Sequence, residues 1–360
     1  MGETEMGDVA DALQHDFVAE LLRVEAAAIA RDAARRMIDA NGLHTRWNGD
    51  AAGMWAGAIE SRVHELAAAI AAQRPEDLAS RAAWARTAFE ARGVDPGDLV
   101  KSLEALRAAA LAAVPDEDAA VVSRTLDGAI DAARRPTVEP PAELVPDAPH
   151  GRLAAEYLLA LLEGDRLRAL ARVHDAVSAG QLGVPEAYRH VYVPVLRELG
   201  RMWHLGEVNV AEEHFATATT LMSMSQIAPM ATRAPSNGRS ILAGAVAGNA
   251  HEIGVRMVAD RFEWEGWRVV YLGPSVPPED LGQAAADFGV DVVALSAMLT
   301  VQIDALELAI AAVRSAAPGA RVIVGGRALE GDRELAARLG ADALALDPDD
   351  AIRVASACAG

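Results

Sequence analysis

The sequence predicts three parts in order: a helical N-terminal domain, a four-helix bundle, and a doubly wound five-stranded parallel sheet, an α + α/β architecture. Three observations carry this. Alanine, the best helix former, supplies 79 of the 360 residues, about 22%. Residues 136–150 read PTVEPPAELVPDAPH, a proline-rich stretch with the character of a linker. Beyond residue 239, short apolar runs alternate with amphipathic helical ones, as strands do with crossover helices in a parallel sheet.

Residues 1–135 read as helices throughout. Leu13, Phe17, Val18, Leu21 and Leu22 recur at helical spacing. Asn41-Gly42 and Arg92-Gly93 look like helix ends, and Asp95-Pro96 starts another helix. Residues 151–231 contain four helical runs, Leu153–Leu162, Leu167–Val177, Val184–Leu199 and Val210–Met224, whose short connections suit an up-down bundle. ATRAPSNGR (231–239) is a second break. Within 239–360 the strands are Ser240–Ala247, Trp267–Leu272, Asp291–Leu295, Arg321–Val324 and Ala341–Leu346. Helices Ile253–Glu265, Pro278–Phe288 and Val301–Ala316 lie between the first four.

Charge narrows the function. Thirty-three basic against 52 acidic residues give a net charge of −19, and Lys101 is the sole lysine. That speaks against direct DNA binding and against an anionic membrane partner. Residues 1–135 alone hold 15 basic and 23 acidic side chains, with no basic recognition helix. No apolar run reaches the ~20 residues of a membrane span. The acidic N-terminus lacks a secretory apolar region, so a soluble cytoplasmic protein is expected. One cysteine, Cys358, excludes an intramolecular disulfide and a thiolate zinc cluster.

Ligands of doubly wound sheets bind outside the carboxyl ends of the strands. The first strand runs into Gly248-Asn249-Ala250-His251-Glu252-Ile253-Gly254, the third into Ser296-Ala297-Met298-Leu299-Thr300, and the fourth into Gly325-Gly326. The glycines leave room for a ligand against the backbone. The first loop lacks GxGxxG and makes a poor dinucleotide site. The bundle adds a second cluster. Its third helix ends in Trp203-His204-Leu205-Gly206. Asn209 is the expected N-cap of the fourth, with Glu212 as the capping-box acid. Trp203, His204, Glu213 and His214 therefore meet at one end of the bundle.

These residues carry a resemblance. Asn249-x-His251-x-x-Gly254, Ser296-x-Met298 and Gly325-Gly326 resemble the Asp-x-His-x-x-Gly, Ser-x-Leu and Gly-Gly pattern of the cobalamin-binding Rossmann-like domains of methionine synthase and methylmalonyl-CoA mutase. The resemblance implies His251 as lower cobalt ligand, with Ser296, Thr300, Gly325 and Gly326 lining a pocket for the displaced dimethylbenzimidazole tail. Asn249 stands where the family has an aspartate that orients the histidine. Met298 replaces leucine, a volume-conserving change.

Trp203, nine residues, then Glu213-His214 resembles the Trp-x9-Glu-His signature of the CarH-type cobalamin photoreceptors. There the tryptophan and the Glu-His pair surround the 5′-deoxyadenosyl group, and the histidine after the tryptophan can ligate cobalt once light removes that group. The resemblance implies adenosylcobalamin as cofactor, His204 as upper ligand after light, and a light sensor rather than an enzyme. A helical first segment in place of a DNA-binding domain is similar to the photocobilins, which add a bilin. Any biliverdin here would be held non-covalently, because no cysteine precedes Cys358. His44, Trp47, Trp55, His64 and Trp84 are its candidate pocket, although helical cores use such residues routinely. A homo-oligomer and a downstream signalling or transcription-factor partner are expected. The competing readings are a corrinoid methyl carrier serving a methyltransferase, and a light-responsive antirepressor of a transcription factor.

Overall fold

The computed structural model describes residues 3–41, 51–329 and 331–358. The chain divides into two units, Met1–Glu139 and Pro140–Gly360.

The first unit is helical: α1 (Glu3–Val24), α2 (Ala26–Asn41), α3 (Ala51–Ala71), α4 (Pro75–Ala91), α5 (Pro96–Ala113) and α6 (Ala119–Arg134). Its core follows from the spacing of apolar residues. Trp55, Ile59, Val63, Leu66 and Ile70 form one buried stripe along α3. Leu99, Leu103, Leu106 and Ala110 do the same on α5. Asp95 caps α5 by accepting from the Gly97 N–H at 2.8 Å, with Pro96 in the first turn. The sole lysine, Lys101, pairs at 3.1 Å with Asp98, which is fully buried. Trp55 belongs to this core, Trp84 packs against it beneath the Arg81 guanidinium at 4.6 Å, and His64 is exposed. His44 and Trp47 lie outside the described residues.

The second unit begins with residues 140–150, which have no helix or strand but fasten to the bundle. The Glu143 N–H donates to Glu198 Oε2 at 2.7 Å, and Leu144 packs on the bundle core. The bundle consists of α7 (Gly151–Leu162), α8 (Arg166–Ser178), a long helical run from Val184 to His204, and α11 (Val210–Ile227). The long run is α9 (Val184–Ala187), a π turn (Tyr188–Tyr192) and α10 (Val193–His204). The π turn has a cause in the sequence. Pro194 has no N–H and its ring crowds the carbonyl four residues back. Widening the preceding turn removes that conflict.

The rest is a five-stranded sheet, all parallel, in the order β2-β1-β3-β4-β5. The strands are β1 (Ser240–Val246), β2 (Arg268–Val276), β3 (Val292–Ser296), β4 (Arg321–Gly325) and β5 (Ala343–Ala345). Helices α12 (Ile253–Trp264), α13 (Pro278–Phe288), α14 (Ile303–Ala316), α15 (Arg333–Arg338) and α16 (Pro348–Cys358) cover it. β1 is buried along its whole length, as an uninterrupted apolar run in a doubly wound sheet should be. The fourteenth helix starts later than its periodicity predicts, because Thr300–Gln302 form a 3₁₀ turn. The chain order reverses between β1 and β3, so the ligand crevice of this topology opens outside their carboxyl ends.

Bundle and sheet share one core. Met257 and Trp264 of α12 pack among Tyr157, Tyr188 and Tyr192 of the bundle. Tyr188 Oη donates to Asp260 Oδ2 at 2.7 Å, and its ring lies 5.3 Å from that of Trp264. Asp260 also accepts from Arg256 Nε at 2.8 Å. Among the described residues no helix is long and apolar enough to cross a membrane.

Candidate functional site

The crevice between β1 and β3 is built from two loops tied together by side-chain amides. β1 ends at Val246, and Gly248 turns the chain with φ near +75°. Asn249 is then fully buried. Its Nδ2 donates to the Ser296 carbonyl at 2.9 Å, which fixes the amide's orientation and turns Oδ1 toward His251. Oδ1 accepts from the His251 N–H at 3.0 Å and lies 3.2 Å from His251 Nδ1. An acceptor there places the ring proton on Nδ1 and leaves the Nε2 lone pair for a ligand. Desolvation holds the His251 imidazole below its ordinary pKa, opposed by the Glu213 carboxylate. The neutral form, the one that binds metals, is favoured.

The loop after β3 is fastened on both sides. Gln302, 5% exposed, accepts with Oε1 from the N–H groups of Met298 (2.7 Å) and Leu299 (3.0 Å), and its Nε2 donates to the Gly248 carbonyl (3.0 Å). On the other side, the Ala297 N–H donates to the Gly325 carbonyl at 3.0 Å. A Cβ on Gly326 would fall 2.1 Å from the Ala297 carbonyl oxygen, and one on Gly325 would fall 2.9 Å from that of Ala345. These two glycines thus serve first the protein's own close backbone contacts. Gly254, in the first turn of α12, has open space where a Cβ would stand. Ser296, Met298 and Thr300 are half-buried along the same rim.

The bundle residues sit where the helix signals put them. Gly206, with φ near +71°, ends α10 just past Trp203 and His204. Asn209 caps α11 by accepting from the N–H groups of Ala211 (2.8 Å) and Glu212 (3.1 Å), and Glu212 Oε2 accepts from the Asn209 N–H at 2.7 Å. Glu213 is half-buried and accepts from Thr217 Oγ1 at 2.8 Å. His214 Nε2 lies 3.8 Å from the Glu213 carboxylate, with the His214 side chain 75% exposed. A separate cavity of about 610 Å³, lined by Val184, Met230, Arg261 and Trp264, lies at the other end of the long helical run.

The donor set fits a metal that brings its own equatorial ligands. Among the described residues no three of His, Cys, Asp or Glu gather into a protein-only cage. One imidazole nitrogen is presented at the crevice and is oriented from behind. A corrin-bound cobalt needs just that from the protein on its lower face.

Residues 239–355 match a family model described as a B12 binding domain, and residues 153–227 match a second model of the same description. Over 195 residues the chain is 30% identical to the HTH-type transcriptional repressor CarH of Myxococcus xanthus, covering 53% of this chain and 63% of that protein. It is 33% identical to the repressor CarA of the same organism over 159 residues, covering 44% and 51% respectively. The chain therefore spans less than two thirds of either repressor. Among solved structures, the monomethylamine corrinoid protein of Methanosarcina barkeri shares the fold with a TM-score of 0.51 and 17% identity, over 57% of this chain and 98% of that one.

The sequence missed Gln302, the amide that joins the two crevice loops. The structure further gives Asn249 a role that an aspartate could not fill, because a carboxylate cannot donate to the Ser296 carbonyl. Asn249→Asp is expected to cost about 1–3 kcal/mol through that buried, unpaired acceptor. Thermal unfolding of the cofactor-free protein measures it, and an unchanged midpoint would show the donor to be dispensable.

Proposed function

We propose that this chain is a cobalamin-dependent photoreceptor, with adenosylcobalamin held between the four-helix bundle and the sheet domain. The observation that carries the reading is the Asn249–His251–Ser296 arrangement at the β1/β3 switch point. When bound, adenosylcobalamin would supply a photolabile Co–C bond, chemistry that belongs to the cofactor. His251 would offer Nε2 from below, with Asn249 holding its ring. Ser296, Thr300, Gly325 and Gly326 would receive the nucleotide tail. Trp203, Glu213 and His214 would shape the space for the adenosyl group, and His204 stands at the same bundle end to offer a second imidazole after light. Emptying that space would let the bundle shift against the sheet domain as a rigid body. In this reading the protein is cytoplasmic and homo-oligomeric, and passes its signal to a partner protein through the helical first unit.

Absorption spectra in the dark and after green light test this, on protein loaded with adenosylcobalamin. The expected result is a light-driven change to a stable spectrum that His204→Ala alters. A second arm with biliverdin tests a further chromophore in the first unit; a light-responsive red band is the expected sign. The corrinoid-carrier reading is favoured by the corrinoid-protein fold alone. Protein no more photoresponsive than free cofactor, yet able to accept methyl groups, would replace the photoreceptor reading with it.

A further inference from the structure

We infer that the cavity at the start of the long helical run is a second ligand site, which takes a small molecule with an apolar body and one anionic group. It lies apart from the crevice and does not rest on the cobalamin reading above.

The cavity measures about 610 Å³, within the range of small-molecule pockets. Val184 and Trp203 stand at opposite ends of the run, which spans about 28 Å at about 1.5 Å per residue. The walls come from both halves of the second unit. The bundle side supplies Leu182 and Val184, the turn after α11 supplies Met230, and α12 supplies Trp264. Leu182, Val184 and Trp264 are buried, so the inner wall is apolar. The Trp264 Nε1–H is buried as well, with no hydrogen-bond partner among the described residues. Buried donors are almost always paired, and an acceptor on a bound molecule is the partner this wall lacks.

The rim is charged. Arg189 of the π turn and Arg261 of α12 both line the cavity, and both pair with Asp349 of α16. Arg189 donates through Nη2. Arg261 donates to Asp349 through Nε at 2.8 Å and to Glu265 through Nη1. A guanidinium carries five N–H donors on three nitrogens. Nε and Nη1 of Arg189 and Nη2 of Arg261 therefore keep donors that have no acceptor among the described residues. Asp349 and Glu265 balance the two positive charges, so the rim offers directed N–H groups rather than excess charge. Such groups bond an anionic oxygen more strongly than a neutral one. An aliphatic or aromatic body against Leu182, Val184 and Trp264, with a carboxylate or sulfonate at the arginines, satisfies wall and rim together.

Fluorescence titration of the full chain tests this with a matched pair of dyes. One is 8-anilinonaphthalene-1-sulfonate; the other is N-phenyl-1-naphthylamine, the same rings without the sulfonate. The proteins are wild type, Arg189→Gln and Thr232→Trp, each checked for folding by thermal melting. Thr232 is an exposed residue of the cavity lining, so its enlargement takes up space without touching the core. Wild type is expected to bind one sulfonate dye per chain and to prefer it over the neutral one. Arg189→Gln is expected to bind the sulfonate about tenfold more weakly, the scale of one hydrogen bond to a charged group, and the neutral dye as wild type does. Thr232→Trp is expected to weaken both. Sulfonate binding that Thr232→Trp leaves unchanged would put the dye elsewhere and overturn the site. Equal affinity of wild type for the two dyes, or equal effects of Arg189→Gln on both, would overturn the anionic preference. A wild type that binds neither dye would remove the inference outright and leave the cobalamin reading untouched.

Discussion

Asp260→Ala is expected to lower the stability of the second unit by about 3–5 kcal/mol, the usual cost of breaking a buried charged pair from one side. Asp260 is 2% exposed and has two partners from different parts of the fold. Arg256 Nε donates to Oδ1 at 2.8 Å from one turn earlier in α12, and Tyr188 Oη donates to Oδ2 at 2.7 Å from the bundle. Removing the carboxylate strands a guanidinium that otherwise lies 5.2 Å above the Tyr271 ring, and it orphans a buried phenol. Burial raises the Tyr188 phenol's pKa, and the nearby Asp260 carboxylate raises it further, so the hydroxyl stays a donor across the accessible pH range. Tyr188→Phe should cost less, about 1–3 kcal/mol, since one oxygen of Asp260 then lacks its donor. Denaturant unfolding of both single variants and the double variant separates these effects. A double variant equal to the sum of the singles would mean that the bundle and α12 are not coupled through this bond.

Gly326→Ala is expected to be as severe. Its φ is near +103°, a conformation that residues with a Cβ avoid. The added Cβ would meet the Ala297 carbonyl oxygen at 2.1 Å, and that oxygen also accepts from the Ala328 N–H. Backbone would have to move on both sides, so a loss above about 4 kcal/mol, or failure to fold, is expected. Gly254→Ala is the contrasting case. A Cβ there meets open space in the first turn of α12, and helix propensity favours alanine by about 0.5–1 kcal/mol. Gly254→Ala should therefore melt slightly higher than wild type while weakening cobalamin binding, if the open space is where the corrin approaches. Thermal melts and cobalamin titration of the pair read both effects, and a destabilised Gly254→Ala would contradict the geometry.

Much of this was legible before the structure. The strands announce themselves as apolar runs because both faces of the sheet are covered, and the cap of α11 is written in Asn209 and Glu212. The spacing of Asn249, His251 and Gly254 marks the crevice, since strand ends in this topology converge on it. What was not legible depends on long separations in the chain. Nothing near Gln302 announces a bond to Gly248, 54 residues away, and nothing near Tyr188 points to Asp260, 72 residues away. The fastening of residues 140–150 to Glu198 is equally silent in a stretch that reads as linker. The π turn did leave a signal, Pro194 inside a helical run, but periodicity alone passes over it. Of the residues offered for a bilin pocket, His44 and Trp47 fall outside the described residues, Trp55 is part of the helical core, Trp84 packs against that core and His64 is exposed.

The π turn also sets the rotational phase of everything downstream in its helix. A π turn holds one residue more than an α turn, and each α-helical residue advances the azimuth by about 100°. Tyr188, at the start of the turn, is locked to α12, while Trp203 and His204 sit at the far end of the same run. Deleting a single residue between 188 and 192 would leave the core-facing tyrosine anchored but turn Trp203 and His204 by about 100° about the helix axis relative to it. The extra residue of the π turn thus couples the phase of the packed face to that of the helix end carrying Trp203 and His204.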